Sequence, residues 1–408
     1  MGLGKLWVIA YRDLGRNRRR SFFSLLAVGL GLALLIVLNG FISGLVEDAL
    51  QNSIRLETGH LQLRAESYKV ETVSLLWRDL LDEPEALAAQ AEAMGEVQAA
   101  APVLWASSIL STGEESVGLR IFGIDTTSSL YDPIREAMET GEFLAADDRS
   151  GILIGQRLAG SLGLSAGDKV SLAVVDGDGE GIEGTFTIRG LFSTGVFRYD
   201  DGAVFMPLSK AQAFTRTDDR ASAVVVLLER QDEADQVAAS LQSTGVTTLT
   251  WRKLNELFLQ TIETGLSFYV LIYGIVILIV AVIIANTLLM AVFERIRELG
   301  ILAALGMKGR QIMLMFFMEA GMLGLAGVAV GIVLGSAGVA WLAQAGLPIG
   351  DVGAAAEGIA LASTITARFD PGGMASLSFW TMVITLLASL YPAWFAARLE
   401  PVEALRSL

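Results

Sequence analysis

Cysteine is absent from this 408-residue chain, and histidine occurs once, at His60. The first absence removes disulfides, thiolate nucleophiles and thiolate metal ligands together. The second leaves no His-Glu-x-x-His pairing and little else for metal or nucleophilic catalysis. His60 reads as a plain polar position in a strand. Carboxylates are plentiful, yet no two can be paired as acid and base, and Asp147-Asp148 and Asp200-Asp201 read as turns. The glycines around Gly167-Asp168-Lys169-Val170 lack the Gly-Lys-Ser/Thr ending that holds a phosphate and its metal, so no nucleotide site is expected.

Charge is missing from four long stretches, 21–46, 264–293, 320–350 and 371–397. Each exceeds the roughly 20 residues that cross a bilayer as a helix. With 53% hydrophobic residues and a mean hydropathy of +0.54 the chain is too apolar for a purely soluble protein, while 18% charged residues is too many for one that is all membrane. The fold class that follows is an integral membrane α-helical protein with four transmembrane helices and a large α+β extracytoplasmic domain between the first and second spans. The spans lack the chains of acids expected of an ion-driven transporter, holding only Asn39, Asn286 and Glu319, the last read as solvated or paired near a span end. The energy for any work must come from elsewhere.

Basic residues set the orientation. Lys5, Arg12, Arg16, Arg18, Arg19 and Arg20 precede the first span, Arg295, Arg297, Lys308 and Arg310 lie between the second and third, and Arg398 and Arg406 follow the last. The positive-inside rule places all three segments in the cytoplasm, both termini included, in a multi-pass protein of the inner membrane. Only nine of the 44 acids and 13 of the 30 bases lie outside residues 47–263, so that exported stretch carries 35 acidic and 17 basic side chains, a net charge of −18. The first apolar run is too long for a cleavable signal. The basic cluster lies against a span, which makes it a membrane anchor rather than a nucleic-acid site.

In order, the chain divides into a cytoplasmic amphipathic helix (1–20, with Leu3, Leu6, Trp7, Ala10 and Leu14 on one face), a span (21–46), an exported α+β domain (47–263), a span (264–293), a cytoplasmic connector (294–310), a span (311–343), an exported loop lying against the membrane (344–375), a span (376–397) and a cytoplasmic tail (398–408). The first span is expected to continue helically to about Leu56. Leu61 and Leu63 alternate with Gln62 and Arg64, a strand period of two. In the third span Gly321, Gly324, Gly327, Gly331, Gly335 and Gly338 recur every three or four residues, close to one helix face, where a neighbouring backbone can approach. Gly324, Gly327, Gly331 and Gly335 are the expected packing positions. Gly40 and Gly44 carry the same signal more weakly.

The connector opens with Glu294, Arg297 and Glu298 and continues through Leu299, Gly300 and Ile301 to Ala304, Leu305 and Gly306. A short helix with Ile296, Leu299, Ile301 and Leu302 for packing, and charges around them, suits docking better than chemistry. A solvated turn would leave those apolar residues unexplained.

Three patterns in this order resemble one family. They are the connector 294–306, the pair Ile154-Gly155-Gln156-Arg157 and Gly167-Asp168-Lys169-Val170, and the ending Tyr391-Pro392-Ala393-Trp394 with Arg398, Pro401 and Leu405. The chain resembles the permease subunits of FtsX/MacB/LolC-type ABC transporters over its whole length. The resemblance implies that the connector is the coupling helix that docks into a separate cytoplasmic ATPase, two copies of which work with two permeases as a homo- or heterodimer. ATP and magnesium would sit on that partner and no cofactor on this non-catalytic chain. Thr58-Gly59-His60-Leu61-Gln62-Leu63 looks most like the lipoprotein-releasing branch (LolC and LolE type), whose members hand acylated lipoproteins to a periplasmic carrier. A groove between the first two spans, lined by Leu34, Leu38, Phe41, Phe268, Leu271 and Ile275, would then hold acyl chains; ordinary lipid-facing residues would look the same. The alternatives are a mechanotransmitting scaffold like FtsX, which activates an exported partner and carries nothing, and MacB-like efflux of amphiphiles or peptides.

Overall fold

The computed structural model describes residues 7–8, 10, 12, 15–16, 18–69, 72–113, 115–242, 245–349 and 360–398. Leu3, Lys5, Leu6 and Leu14 of the expected amphipathic helix lie outside them, as do residues 350–359 of the exported loop and 399–408 of the tail. The chain separates into two compact units. One comprises residues 1–46, 262–347 and 366–408, the other 47–261 and 348–365.

The first long helix, α1, runs Arg18–Ser53, about 54 Å at 1.5 Å per residue. That is well beyond a hydrocarbon core of roughly 30 Å. A wider helical turn, Ile54–Thr58, follows, and Gly59 ends it at φ 58°, a left-handed conformation that a side chain would resist. A Cβ there would also stand 2.6 Å from a Val225 methyl carbon.

The second unit is a mixed α/β body. Its strands are β1 Leu61–Ala65, β2 Val97–Ser111, β3 Ser116–Ile124, β4 Met138–Gly141, β5 Gly151–Gly155, β6 Lys169–Val175, β7 Gly181–Phe192, β8 Ala203–Pro207, β9 Ala223–Leu228 and β10 Val246–Thr250. They form one sheet in the order β10-β1-β9-β2-β3-β8-β5-β7-β4, with β6 bridging β2 and β7. Pairing is antiparallel except β3 with β8 and β5 with β7. Helices α2 (Pro84–Glu92), α3 (Asp132–Glu136), α4 (Gln156–Leu162), α5 (Phe197–Gly202), α6 (Leu208–Thr215), α7 (Ala234–Ser240) and α8 (Trp251–Leu254) cover it. β-Branched runs such as Val224, Val225 and Val226 fill the strands between these layers and build its cores.

One expectation holds in an unexpected setting here and two change. The strand read from the alternation at Leu61–Arg64 is present as β1, with all five of its residues buried. Arg64 lies between the Tyr68 and Trp105 rings, 4.9 Å from each, and its Nε donates to Gln62 Oε1 at 2.8 Å. Asp200 is not a turn residue but sits in α5, 3% exposed. It accepts from the Thr194 amide and hydroxyl, both at 2.8 Å, and from the Gly195 amide at 3.0 Å, while burial raises its pKa. Finally, residues 348–365 of the expected membrane-lying loop belong to this unit. Ser363 donates its amide to Gly195 O at 2.7 Å, and Ala360 is buried in a core with Val196 and Tyr199.

The remaining helices are α9 (Glu256–Glu294), α10 (Ile296–Ala304), α11 (Gly309–Ala345) and α12 (Pro371–Ala397). With α1, three of them, α9, α11 and α12, are long and apolar enough to cross a membrane.

Candidate functional site

Helix α10 is a short element between the long helices α9 and α11 of the first unit. It begins after Arg295, where the α9 ladder breaks, and it ends because Gly306 takes φ 91°. The Gly306 amide closes on Ala303 O and the Met307 amide on Leu302 O, both at 3.0 Å, a C-terminal cap that only glycine forms cheaply. The next helix starts at once, with Gln311 Oε1 accepting from the Lys308 amide at 3.0 Å. A Cβ on Gly309 would meet Ala397 O at 2.7 Å, so α11 starts hard against the end of α12.

One turn every 3.6 residues gives α10 two faces. Leu299 and Gly300 turn inward, into a core of Ala291, Val292, Ile312, Met315, Phe316, Ala393 and Ala396. Both were expected at a docking surface, and the helical period removes them from it. Arg297, Ile301, Ala304, Leu305 and Gly306 face outward with Glu294, and Leu305 is 80% exposed. Glu298 is half-buried and paired.

Its partners are residues that sequence reading assigned to membrane anchoring. Arg16 pairs with Glu298, Arg20 Nη1 lies 2.7 Å from Glu294 Oε2, and Arg20 Nη2 lies 3.8 Å from Glu319 Oε1. Arg295, 7% exposed, adds a contact to Glu298 at 3.5 Å. Glu319 is 1% exposed, so of its two expected states it is paired and not solvated. The four-residue spacing of Arg16 and Arg20 is in the sequence, but the partners Glu294 and Glu298 stand on either side of the break at Arg295, which no local pattern announces. The start of α1 is thereby tied to both sides of α10.

The glycines of α11 divide between two neighbours and do not share one. Gly321 and Gly324 face α12, where a Cβ on Gly324 would stand 3.0 Å from Thr385 Cγ2. Gly327, Gly331, Gly335 and Gly338 face α1, and added Cβ atoms would come within 2.6–2.8 Å of Val28, Leu32, Ile36 and Val37. Gly40 of α1 also faces α11, where a Cβ would stand 2.8 Å from Val339 Cγ2, while Gly44 faces only the segment at Thr366 and Ala367. Both glycines make room for the extended backbone at Thr366 and Arg368, and the Arg368 amide donates to Gly40 O at 2.9 Å.

Of the six groove residues, Leu34, Phe268, Leu271 and Ile275 are exposed, and Leu38 and Phe41 are half-buried. α1 and α9 touch at Gly31, where a Cβ would stand 2.6 Å from Val280 Cγ2.

In the second unit Glu57 gathers the Arg120 guanidinium at 2.6 Å, the Tyr199 hydroxyl at 3.0 Å and Arg198 at 3.4 Å. Nearby Gln62 donates to the Glu57 carbonyl at 3.0 Å. Burial and the Glu57 charge push the Tyr199 hydroxyl well above its ordinary pKa of 10.0, so it stays protonated and donates to Glu57. No group of side chains suited to a metal occurs among the described residues.

Two family descriptions match this chain. "MacB-like periplasmic core domain" covers residues 21–244 and "FtsX-like permease C-terminal" covers residues 270–401. The lipoprotein-releasing system transmembrane protein LolC of Neisseria meningitidis serogroup B is 24% identical over 98% of each chain. The macrolide export ATP-binding/permease protein MacB of Rhodospirillum rubrum is 28% identical over 98% of this chain and 60% of its own length. The periplasmic region of MacB from Actinobacillus actinomycetemcomitans aligns in structure with 52% of this chain and 97% of its own, at 13% identity and a TM-score of 0.34.

Proposed function

We propose, from the premise that this chain belongs to the LolC/MacB/FtsX family of ABC transporter permeases, that it turns the motion of a cytoplasmic ATPase into release of lipoproteins from the inner membrane. A permease of this family implies an ATPase partner and a second permease subunit. The ATPase is a separate chain present in two copies, and it holds the ATP and magnesium. Both termini and α10 are cytoplasmic. The mixed unit between the first and second spans is extracytoplasmic and hands its cargo to a periplasmic carrier.

The observation that carries this reading is α10. Its inner face is fused to the bundle through Leu299, and Glu294 and Glu298 at its N-terminal end are held by Arg20 and Arg16. Its outer face presents Arg297, Ile301, Ala304 and Leu305 to a partner. A push on that face reaches α1, α9, α11 and α12 together, because a packed core transmits displacement with little compression. The acyl chains of the cargo would lie along Leu34, Leu38, Phe41, Phe268, Leu271 and Ile275. Support for a lipoprotein cargo comes from the match to LolC over nearly the full length of both chains, against 60% of the MacB relative.

The test is reconstitution with the ATPase in lipid vesicles that hold an acylated lipoprotein, reading ATP turnover and lipoprotein appearing in solution with a carrier. Turnover that changes with lipoprotein, accompanied by release, supports the reading. Turnover indifferent to lipoprotein but responsive to a soluble exported protein replaces it with a transmitting scaffold.

A further inference from the structure

Residues 47–263 carry a net charge of −18, yet a cavity in the second unit is basic. It has a volume of about 880 Å³, and Arg64, Arg120, Arg198 and Lys253 line it against Glu57 and Glu256, an excess of two positive charges. Four elements bring these bases together. Arg64 comes from β1, Arg120 from β3, Arg198 from α5 and Lys253 from α8. Glu57 lies 2.6 Å from Arg120 and 3.4 Å from Arg198, so one carboxylate holds two guanidinium groups at the cavity wall. A cleft lined by one sign of charge focuses its field and concentrates counter-ions. Guanidinium groups match the oxygens of a phosphate in shape as well as in charge.

The cavity has apolar lining as well. Leu254, Leu257 and Phe258 contribute it, and Leu257 is 78% exposed. Its walls include the helix that leaves the first uncharged run and the one that enters the second. Ala49 and Ser53 follow residue 46 by no more than about 11 Å along α1, and Thr261 precedes residue 264 by about 5 Å along α9. The polar headgroup layer beyond the hydrocarbon is of similar depth, about 5–8 Å on each side. Cations and exposed apolar side chains are therefore gathered at the level where a phospholipid keeps its phosphate.

We propose that this cavity seats the headgroup of an anionic phospholipid, with its phosphodiester on Arg120, Arg198 and Lys253 and its glycerol end along Leu257 and Phe258. The excess of positive charge selects a net anion over a zwitterionic headgroup, whose ammonium would meet the same bases. The apolar lining favours a lipid over free phosphate, which has nothing to place there. A lipid so bound ties β3 and α5 to the start of α9. The proposal rests on the extracytoplasmic placement of this unit and not on the cargo, and it is read by binding alone, so failure of the release reading leaves it standing.

The full chain in a neutral detergent would be titrated by calorimetry with dihexanoyl phosphatidylglycerol below its micelle concentration, with dihexanoyl phosphatidylcholine and with inorganic phosphate. Saturable binding of the anionic lipid, at least about tenfold tighter than either of the others, is expected. Lys253→Gln and Arg198→Gln should each weaken it about tenfold, and Arg230→Gln, outside the cavity, should leave it unchanged. The Lys253 and Arg198 side chains are 62% and 36% exposed, so the unfolding midpoints of these variants should hold. Arg198→Lys, which keeps the charge, should retain most of the binding. Inorganic phosphate held as tightly as the lipid overturns the lipid as occupant, and equal binding of the two lipids overturns the selection by charge. Equal weakening in Arg230→Gln shows a general attraction to cations and overturns the cavity. Absence of saturable binding overturns the proposal whole.

Discussion

Arg20 and Glu319 meet 3.8 Å apart at the root of the helical bundle, one 18% and the other 1% exposed. Glu319 is an acid on a helix otherwise made to cross a membrane, and the guanidinium that answers it comes from the first long helix, α1. Removing one partner of a buried pair leaves an uncompensated charge, which costs about 3–5 kcal/mol. Arg20→Leu is therefore expected to lower the unfolding midpoint of the protein in detergent markedly, and Glu319→Leu only where Arg20 loses more than its second partner Glu294 replaces. The double variant should recover much of the Arg20→Leu loss, since no buried charge is then left alone. A midpoint unchanged in Arg20→Leu would show that the pair holds nothing.

The seam between α1 and α11 makes a sharper forecast. Gly335→Val places a branched side chain where even a Cβ stands 2.8 Å from Ile36 Cβ, so the helices must part, at about 1–3 kcal/mol by the cost of overpacking. Gly160→Ala in α4 is the contrast. Nothing lies within 4 Å of its added Cβ, and a helical glycine replaced by alanine gains about 0.5–1 kcal/mol. Thermal midpoints should move in opposite directions.

His60 gives a pH dependence. Burial lowers its pKa from the ordinary 6.5, and its Nδ1 accepts from the Leu228 amide at 3.0 Å, a bond that protonation there would break. The unfolded chain therefore binds this proton at a higher pH than the folded one. The contribution is fully present above the unfolded value of 6.5 and is lost as pH falls through it toward the folded value. As the sole imidazole, it is readable by NMR without assignment ambiguity. A titration midpoint below 6.5 is expected, and His60→Gln should flatten this part of the stability profile. A midpoint above 6.5 would contradict the burial.

How much of this was legible beforehand depended on whether the deciding force was local. Runs without charge announced the four long helices because the cost of ions in hydrocarbon acts residue by residue. The burial of Gln62 and Arg64 could not be read in this way. Their polar period describes a wet strand until Tyr68 and Trp105 arrive from elsewhere to sandwich the guanidinium. Leu299 and Ile301 looked alike as apolar residues of the connector, and only the neighbours Phe316 and Ala393 decide that the first packs inward. The Arg16–Glu298 pair spans 282 positions, beyond any window of sequence reading.

The most direct measurement on the central claim, that α10 receives the motion of the ATPase, is the affinity of that ATPase for the permease when the outer face alone is altered. Ile301→Asp with Leu305→Asp changes two side chains that are 47% and 80% exposed, so the unfolding midpoint should stay where it was. The account predicts that binding weakens at least tenfold, about 1.4 kcal/mol, and that ATP turnover no longer responds to the permease. ATPase binding and coupled turnover unchanged in this variant would contradict it.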